Sequence, residues 1–407
     1  VIVETGFKPK FLMIKCTSHA STNWEILDSE RSPGLLSNGS AVRLRANNNS
    51  ADAGFNNTPI SFLSNGFRIN SSVTANSYAD YDANGRTYLY IAFAADPDTT
   101  SPTLANSFDA LTWSGQNSSL TINNGFKTGL LLTKARTVGH HWGGFDIVRG
   151  PGKWILPNEN NAELSGSYGI EEFLATSTKL YGSTSPSNAA SNTYVGFFWK
   201  ADDNEPTINT SGSVNSIVSA NANAGFSIVK WYGTGAINTI GHGLSSAPEM
   251  ILVKNLDSAS DWQVYHTSMG NANKASLNTT AAQSSTTRWD STSPTSSVFT
   301  FRDVGLTGNL IAYCFHSVTG YSKFGYWQGG TTTLNLGFQP NFVMHKDYGA
   351  GGAWSMVDSV RGDNVQVKAD DSAAETSQSV VSFTSTGLSM TSESNIVYRL
   401  YAAFKIN

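Results

Sequence analysis

The chain has little of what most secreted scaffolds and most enzymes rely on. Only two of its 407 residues are cysteine, Cys16 and Cys314. They fall far apart, so a disulfide framework is not expected, and Cys314 within Ile311-Ala-Tyr-Cys-Phe315 reads as a small buried apolar residue. Charged residues make up 14% of the chain and the net charge is −4. No basic excess points to nucleic acid, and no polybasic run points to an anionic membrane. No signal-peptide pattern and no run of roughly 20 apolar residues occurs. The chain also lacks an initiator methionine, and Val1-Ile-Val-Glu-Thr-Gly6 enters directly at a strand, which suggests a processed product or part of a longer chain.

Catalytic signatures are missing too. There is no Gly-x-Ser-x-Gly elbow, phosphate loop or dinucleotide fingerprint. The seven histidines are scattered, and His140-His141 has no zinc-type partner spacing. Glu171-Glu172 and other acids offer carboxylates for glycoside cleavage, but sequence does not fix their separation. No catalytic residue is assigned, and a non-enzymatic role is expected.

What the chain does have is one motif written four times. The copies are Gly6-Phe-Lys-Pro-Lys-Phe-Leu-Met-Ile-Lys15, Gly125-Phe-Lys-Thr-Gly-Leu-Leu-Leu-Thr-Lys134, Gly243-Leu-Ser-Ser-Ala-Pro-Glu-Met-Ile-Leu-Val-Lys254 and Gly337-Phe-Gln-Pro-Asn-Phe-Val-Met-His-Lys346. Each ends in lysine, and a tryptophan follows eight or nine residues later: Trp24, Trp142, Trp262 and Trp354. An internal repeat sets the architecture before any single residue does.

Around this motif short aromatic and β-branched runs recur, bounded by Gly, Asn, Ser and Pro. An opening strand occurs as Ser107-Phe-Asp-Ala-Leu-Thr-Trp113, Phe226-Ser-Ile-Val-Lys-Trp-Tyr232 and Tyr321-Ser-Lys-Phe-Gly-Tyr-Trp327, with none in copy one. A closing strand occurs as Tyr88–Phe93, Tyr194–Trp199, Leu310–Phe315 and Leu400–Phe404. No segment sustains helical periodicity. The expected fold is all-β: four tandem β-sandwich or jelly-roll-like repeats at 1–95, 107–201, 225–319 and 320–407, the first lacking its opening strand. The Ser/Asn/Ala-rich stretch from Asp202 to Gly225 reads as a linker that lets the chain fold into two paired halves. A sandwich without its opening strand exposes an edge and an apolar groove. Upstream residues, a neighbouring subunit or the long connector are the candidates to fill it.

The tryptophan strand carries Asp28 with Arg31, Asp146 with Arg149 and Asp358 with Arg361, whereas copy three has His266 and Met269. Asp and Arg are lost together, which suggests that they touch. The pair reads as an ion pair pinning the turn after the strand, fixing geometry rather than adding the roughly 0–1 kcal/mol of an exposed bridge. A repeated ligand site is the other reading. The lysine, carried on a hairpin, is expected beside the tryptophan ring. Non-repeating loop aromatics, Tyr78, Tyr81, Tyr181 and Trp289, are the better candidates for stacking on a sugar. Asp80-x-Asp82-x-Asn84-Gly85 has the opening spacing of a calcium loop. Its twelfth position is Ile91 rather than Glu, so an EF-hand fails. A polar Asn-Gly turn is the default, with a looser Ca²⁺ loop as the only cofactor candidate. Arg361-Gly362-Asp363 spells an integrin tripeptide, but it is the repeat's own Asp-x-x-Arg-Gly.

Together, Gly-Phe-x-Pro-x-Phe-Val-x-x-Lys, the Trp-x-x-x-Asp-Ser-x-Arg-Gly strand, the Phe-x-Ser-x-Gly-Phe segment seen in Ile60-Ser-Phe-Leu-Ser-Asn-Gly-Phe67 and the closing aromatic strand resemble repeat domains in virion proteins of tailed phages, notably marine phages and cyanophages. Copy three is close to the pattern through Gly225-Phe-Ser-Ile-Val-Lys-Trp-Tyr-Gly233 and Ala247-Pro-Glu-Met-Ile-Leu-Val-Lys-Asn255. Copy two departs most, with Thr128 in place of the motif's proline and a rewritten stretch from Pro151 to Leu174. The resemblance implies a structural virion protein at the particle surface, in a tail fibre or another appendage contributing to host attachment. Other virion subunits and a host-surface glycan would be its partners, without nucleic acid or membrane insertion. It would form a homo-oligomer, a trimer by analogy with fibres. A carbohydrate-binding capsid or tail decoration protein is the alternative, and a polysaccharide depolymerase the third reading.

Overall fold

The computed structural model describes residues 2–5, 8–18, 23–29, 31, 41–47, 53–55, 60–63, 66–69, 86–94, 104, 106–182, 187–330, 332–391 and 398–406. The fold is all-β. Every pairing between strands is antiparallel, and one short 3₁₀ turn, Thr267–Met269, interrupts the strands among the described residues.

The chain divides into two compact units, Val1–Thr100 and Ser101–Asn407. In the second unit one strand order occurs three times: opening strand, closing strand, lysine strand, tryptophan strand. It runs Phe108–Ser114, Thr193–Trp199, Leu130–Ala135, Gly143–Asp146; then Phe226–Gly233, Gly308–Phe315, Met250–Asn255, Gln263–His266; then Ser322–Gln328, Tyr398–Phe404, Phe342–Asp347, Ser355–Asp358. In the first unit the lysine strand Pro9–Cys16 lies between the tryptophan strand Glu25–Asp28 and the closing strand Tyr88–Ala94. Here the closing strand ends the sheet among the described residues.

A smaller sheet covers one face of each large sheet. In the third sandwich, Ile240, Phe299 and Phe301 of the small sheet meet Val229, Trp231 and Ala312 of the large one. Corresponding cores join Leu131, Phe145 and Phe198 to Ile122, Ile170 and Leu180, and Val343, Val357 and Ala403 to Val381, Leu388 and Met390. In the first unit Leu12, Ile14 and Leu27 meet Ile60, Phe62, Phe67 and Ile69. Alternation along a strand sends every second residue into such a core.

The opposite faces of the three large sheets in the second unit pack on each other. Phe108, Leu130 and Trp199 from the second sandwich, Phe226, Met250 and Phe315 from the third, and Phe324, Phe342 and Phe404 from the fourth form one common core. The ring of Phe342 lies 5.5 Å from that of Phe108 and 4.7 Å from that of Phe197. Both faces of these sheets are therefore buried, which explains the unbroken apolar runs Leu130-Leu-Leu132 and Met250-Ile-Leu-Val253. The lysine strand of the first unit instead alternates between buried and half-buried residues.

Three expectations need correction. The stretch from Asp202 to Gly225 is not a free linker. It contributes strands Thr207–Asn209 and Ser216–Asn221, which widen the third sandwich's large sheet to six strands. The chain does not form two paired halves; three sandwiches share one core and the remaining one stands as a separate unit. Trp289 is not a loop platform, because its indole is buried against Tyr265 and Phe301.

Candidate functional site

The Asp–Arg motif makes the turn that follows the tryptophan strand. In all three copies the carboxylate Oδ1 accepts the backbone N–H of the arginine, at 2.9 Å, and Oδ2 accepts from Nε at 2.5–2.6 Å. In the second and fourth sandwiches a glycine follows the arginine with a positive φ, +85° at Gly150 and +96° at Gly362, where a Cβ would strain the backbone. In copy three His266 takes over the carboxylate's role. Its Nδ1 accepts the Ser268 N–H at 3.1 Å and Nε2 lies 3.3 Å from the Tyr401 carbonyl, while Gly270 keeps the positive φ. Complete burial pushes the His266 pKa down to about 4, so the ring is neutral.

These pairs were expected at the surface, and in two copies they are not. Asp146–Arg149 and Asp358–Arg361 are fully buried, whereas Asp28–Arg31 keeps partial solvent contact. Arg149 also donates to the Gly144 carbonyl at 2.9 Å, and Tyr313 of the next sandwich donates its hydroxyl to Asp146 at 2.6 Å. Burial works against the Arg149 charge, but Asp146, with Tyr313 and Glu163, raises its pKa further. Breaking such a pair on one side leaves a buried charge uncompensated.

The tryptophans join the three sandwiches into a ring. The indole N–H of Trp142 donates to the Lys368 carbonyl, that of Trp262 to Leu156 and that of Trp354 to Ser276, at 2.8, 3.1 and 2.9 Å. Sandwich two thus reaches four, three reaches two, and four reaches three, and the circle closes. Each tryptophan's own backbone N–H is capped by a side chain 16 residues on: Asn158, Asn278 or Asp370. The accepting carbonyl is always two residues before that cap. A second set of links repeats the circle: Glu163 N–H to the Leu256 carbonyl, Gln283 to Tyr348, and Glu375 to Arg136. Glu375 further receives Arg136 at 2.9 Å and Arg361 at 3.2 Å, tying the fourth sandwich to the second.

Two of the three lysines bond across the same circle, while Lys134 Nζ donates to the carbonyl of its neighbour Ala135 at 2.9 Å. Lys254 Nζ donates to the Ser260 carbonyl at 2.8 Å and to Asn160 of the second sandwich at 3.2 Å; Lys346 Nζ donates to Gly352 and, at 3.2 Å, to Thr279 of the third. Lys346 also stands 5.4 Å from the centre of the Trp354 ring, the expected lysine–tryptophan contact. Lys134, Lys254 and Lys346 are fully buried, and desolvation lowers each pKa to about 8, partly offset by Asp371, Asp261 and Asp370 respectively. The network's chemistry is therefore spent on holding sandwiches together. On the shared core lies a void of about 30 Å³ lined by apolar side chains such as Leu252, Phe315 and Phe342. Without polar partners it offers a water nothing to bond, and it is far below the several hundred Å³ of a small-molecule site.

Among the remaining sequence candidates, Asp80, Asp82 and Asn84 lie outside the described residues, as do Tyr78 and Tyr81. No group of metal-ligating side chains occurs among the described residues. Cys16 and Cys314 are both buried thiols. Glu171 is taken up by Lys179 at 2.9 Å and Ser119 at 2.8 Å. An exposed aromatic group that motif reading missed sits at the end of the fourth sandwich: Tyr326, Tyr398 and the more buried Tyr348. The Tyr348 and Tyr398 rings are 6.2 Å apart, and Gln328 donates to the Tyr398 hydroxyl at 2.8 Å. The caps Asn158, Asn278 and Asp370 were also missed, although their constant offset from the tryptophans is visible in the sequence.

No curated protein and no solved structure matches the chain. A family model does, over residues 1–97 and 104–404, and the unmatched stretch coincides with the boundary between the two units. The chain belongs to the family described as a domain of unknown function, DUF7483.

Proposed function

We propose that the protein is a structural component of a tailed-phage virion, part of a tail fibre or another surface appendage that contributes to host attachment. The observation that carries this reading is the ring itself. Its tryptophans and two of its lysines bond from one sandwich to the next, and its ion pairs are buried at the turns beside them, which suits a rigid building element. The motif resemblance supplies the virion context. Antibodies raised against the purified chain should decorate an appendage of the phage particle in electron microscopy. Particles left unlabelled, with the antigen found only in the infected cell, would contradict the reading.

A second reading, a glycan-binding decoration protein, is favoured by the tyrosine group. Tyr326 and Tyr398 are exposed large aromatics beside the Gln328 amide, a combination that stacks on a sugar ring and bonds its hydroxyls. On a glycan array the chain would then bind, and Tyr398→Ala would lose the signal. Turnover of an offered polysaccharide would instead point to a depolymerase.

A further inference from the structure

We propose that the uncovered face of the first unit's large sheet is a contact between copies of this chain, and that three such faces from three chains close a ring like the one the other sandwiches close within one chain. The argument rests on register. Phe93 pairs with Phe11 as Trp199 pairs with Leu130, Phe315 with Met250 and Phe404 with Phe342. Two residues back along the closing strand, Ile91 corresponds to Phe197, Tyr313 and Ala402. Another two back, Leu89 faces Lys15 as Val195 faces Lys134, Ile311 faces Lys254 and Leu400 faces Lys346.

These positions differ in what covers them. Trp199, Phe315 and Phe404 are 3%, 5% and 3% exposed inside the common core, whereas Phe93 is 60%, Leu89 51% and Ile91 44% exposed. Three large apolar side chains on one strand face form the kind of contiguous patch that marks an interaction surface.

The polar parts of the contact are present as well. The Trp24 backbone N–H is capped by Asn47 at 3.0 Å, as Trp142, Trp262 and Trp354 are capped by Asn158, Asn278 and Asp370. The carbonyl two residues before that cap belongs to Arg45, so the Trp24 indole N–H is assigned to Arg45 of a neighbouring chain. The occupant is a second and third copy of the first unit rather than the second unit. In the second unit's ring the three repeat tryptophans, Trp142, Trp262 and Trp354, already have their carbonyls, and the circle is closed. The number is three because the contact is head-to-tail, and this geometry closes after three members where it is seen. The inference stands independently of the virion reading.

Sedimentation equilibrium of the full chain, across a wide concentration range, tests it. The expected mass is three times the chain's 43.6 kDa. The Ile91→Asp/Phe93→Asp variant changes side chains that are solvent-exposed in the single chain, and it should sediment as a monomer with the near-UV circular dichroism of the second unit unchanged. Trp24→Phe, which keeps the ring and removes the donor, should raise the dissociation midpoint roughly tenfold. Tyr232→Ser, at an exposed position of the second unit, should leave the trimer intact. A wild-type monomer at every concentration, a dimer, or a trimer that survives the double aspartate variant would overturn the proposal.

Discussion

The first sandwich and the three that follow it carry matching residues at matching register positions, yet only the latter are buried on both faces of the large sheet. Lys15 and Lys134 end the same strand, Trp24 and Trp142 begin the next, and Asp28 and Asp146 hold the same turn. The comparison teaches that the motif builds an interface between sandwiches. Where three copies meet, its ionisable groups lose water, and Asp146, Lys254 and Lys346 gain cross-sandwich partners. In the first unit the same groups keep partial solvent contact.

Substitutions at paired positions sharpen this contrast. Trp262→Ala removes a fully buried ring and its cross-sandwich hydrogen bond, and should cost about 3–5 kcal/mol in urea unfolding of the second unit. Trp24→Ala should leave that transition unmoved. Equal losses would show that burial in the ring is not what separates the two sites. Next in size, Asp146→Asn strands the buried Arg149 charge and should cost about 3 kcal/mol. Asp28→Asn, at a partly exposed pair, should cost at most about 1 kcal/mol.

The buried titratable groups distinguish the units by pH. His266 and His345 are held neutral by burial, with pKa values pushed down to about 4 and about 3. Between these values and the ordinary histidine range the unfolded chain binds more protons, so the stability they contribute is present above pH 6.5 and lost as pH falls through that window. Thermal unfolding of the second unit should therefore shift down between pH 6.5 and 4. His266→Asn, which can still cap the Ser268 N–H, should flatten the decline. The smallest effect lies on the alkaline side. The ring lysines have pKa values lowered to about 8. Above pH 8 the unfolded chain again binds more protons, so stability should rise from pH 8 towards 10. Lys254→Met, which lacks the ionisable group, should weaken that rise.

Much of this was within reach of the sequence. Short aromatic strands bounded by turn residues indicated an all-β chain, and the joint absence of Asp and Arg from copy three, at His266 and Met269, indicated that the two touch. The ring was harder to see. A strand buried on both faces shows as an apolar run, and Leu130-Leu-Leu132 is one, but Thr133-Lys134 beside it reads as a surface end. A lysine's burial depends on carbonyls brought from another sandwich, as Asn160 is to Lys254, and no local pattern records them. Trp289 misled for the same reason: its surroundings in sequence are polar, while its partners Tyr265 and Phe301 arrive from distant strands. The Ser/Asn/Ala-rich stretch from Asp202 to Gly225 looked like a linker because an added edge strand needs few apolar residues.

Residue-resolved hydrogen exchange at Glu163, Gln283 and Glu375 tests the closed ring most directly, because their amides make the three equivalent bonds between sandwiches. If the ring opens only when the second unit unfolds, all three should exchange as slowly as the core amides of Leu252 and Met344. Exchange at loop rates in any one of them, with the core still protected, would contradict the ring.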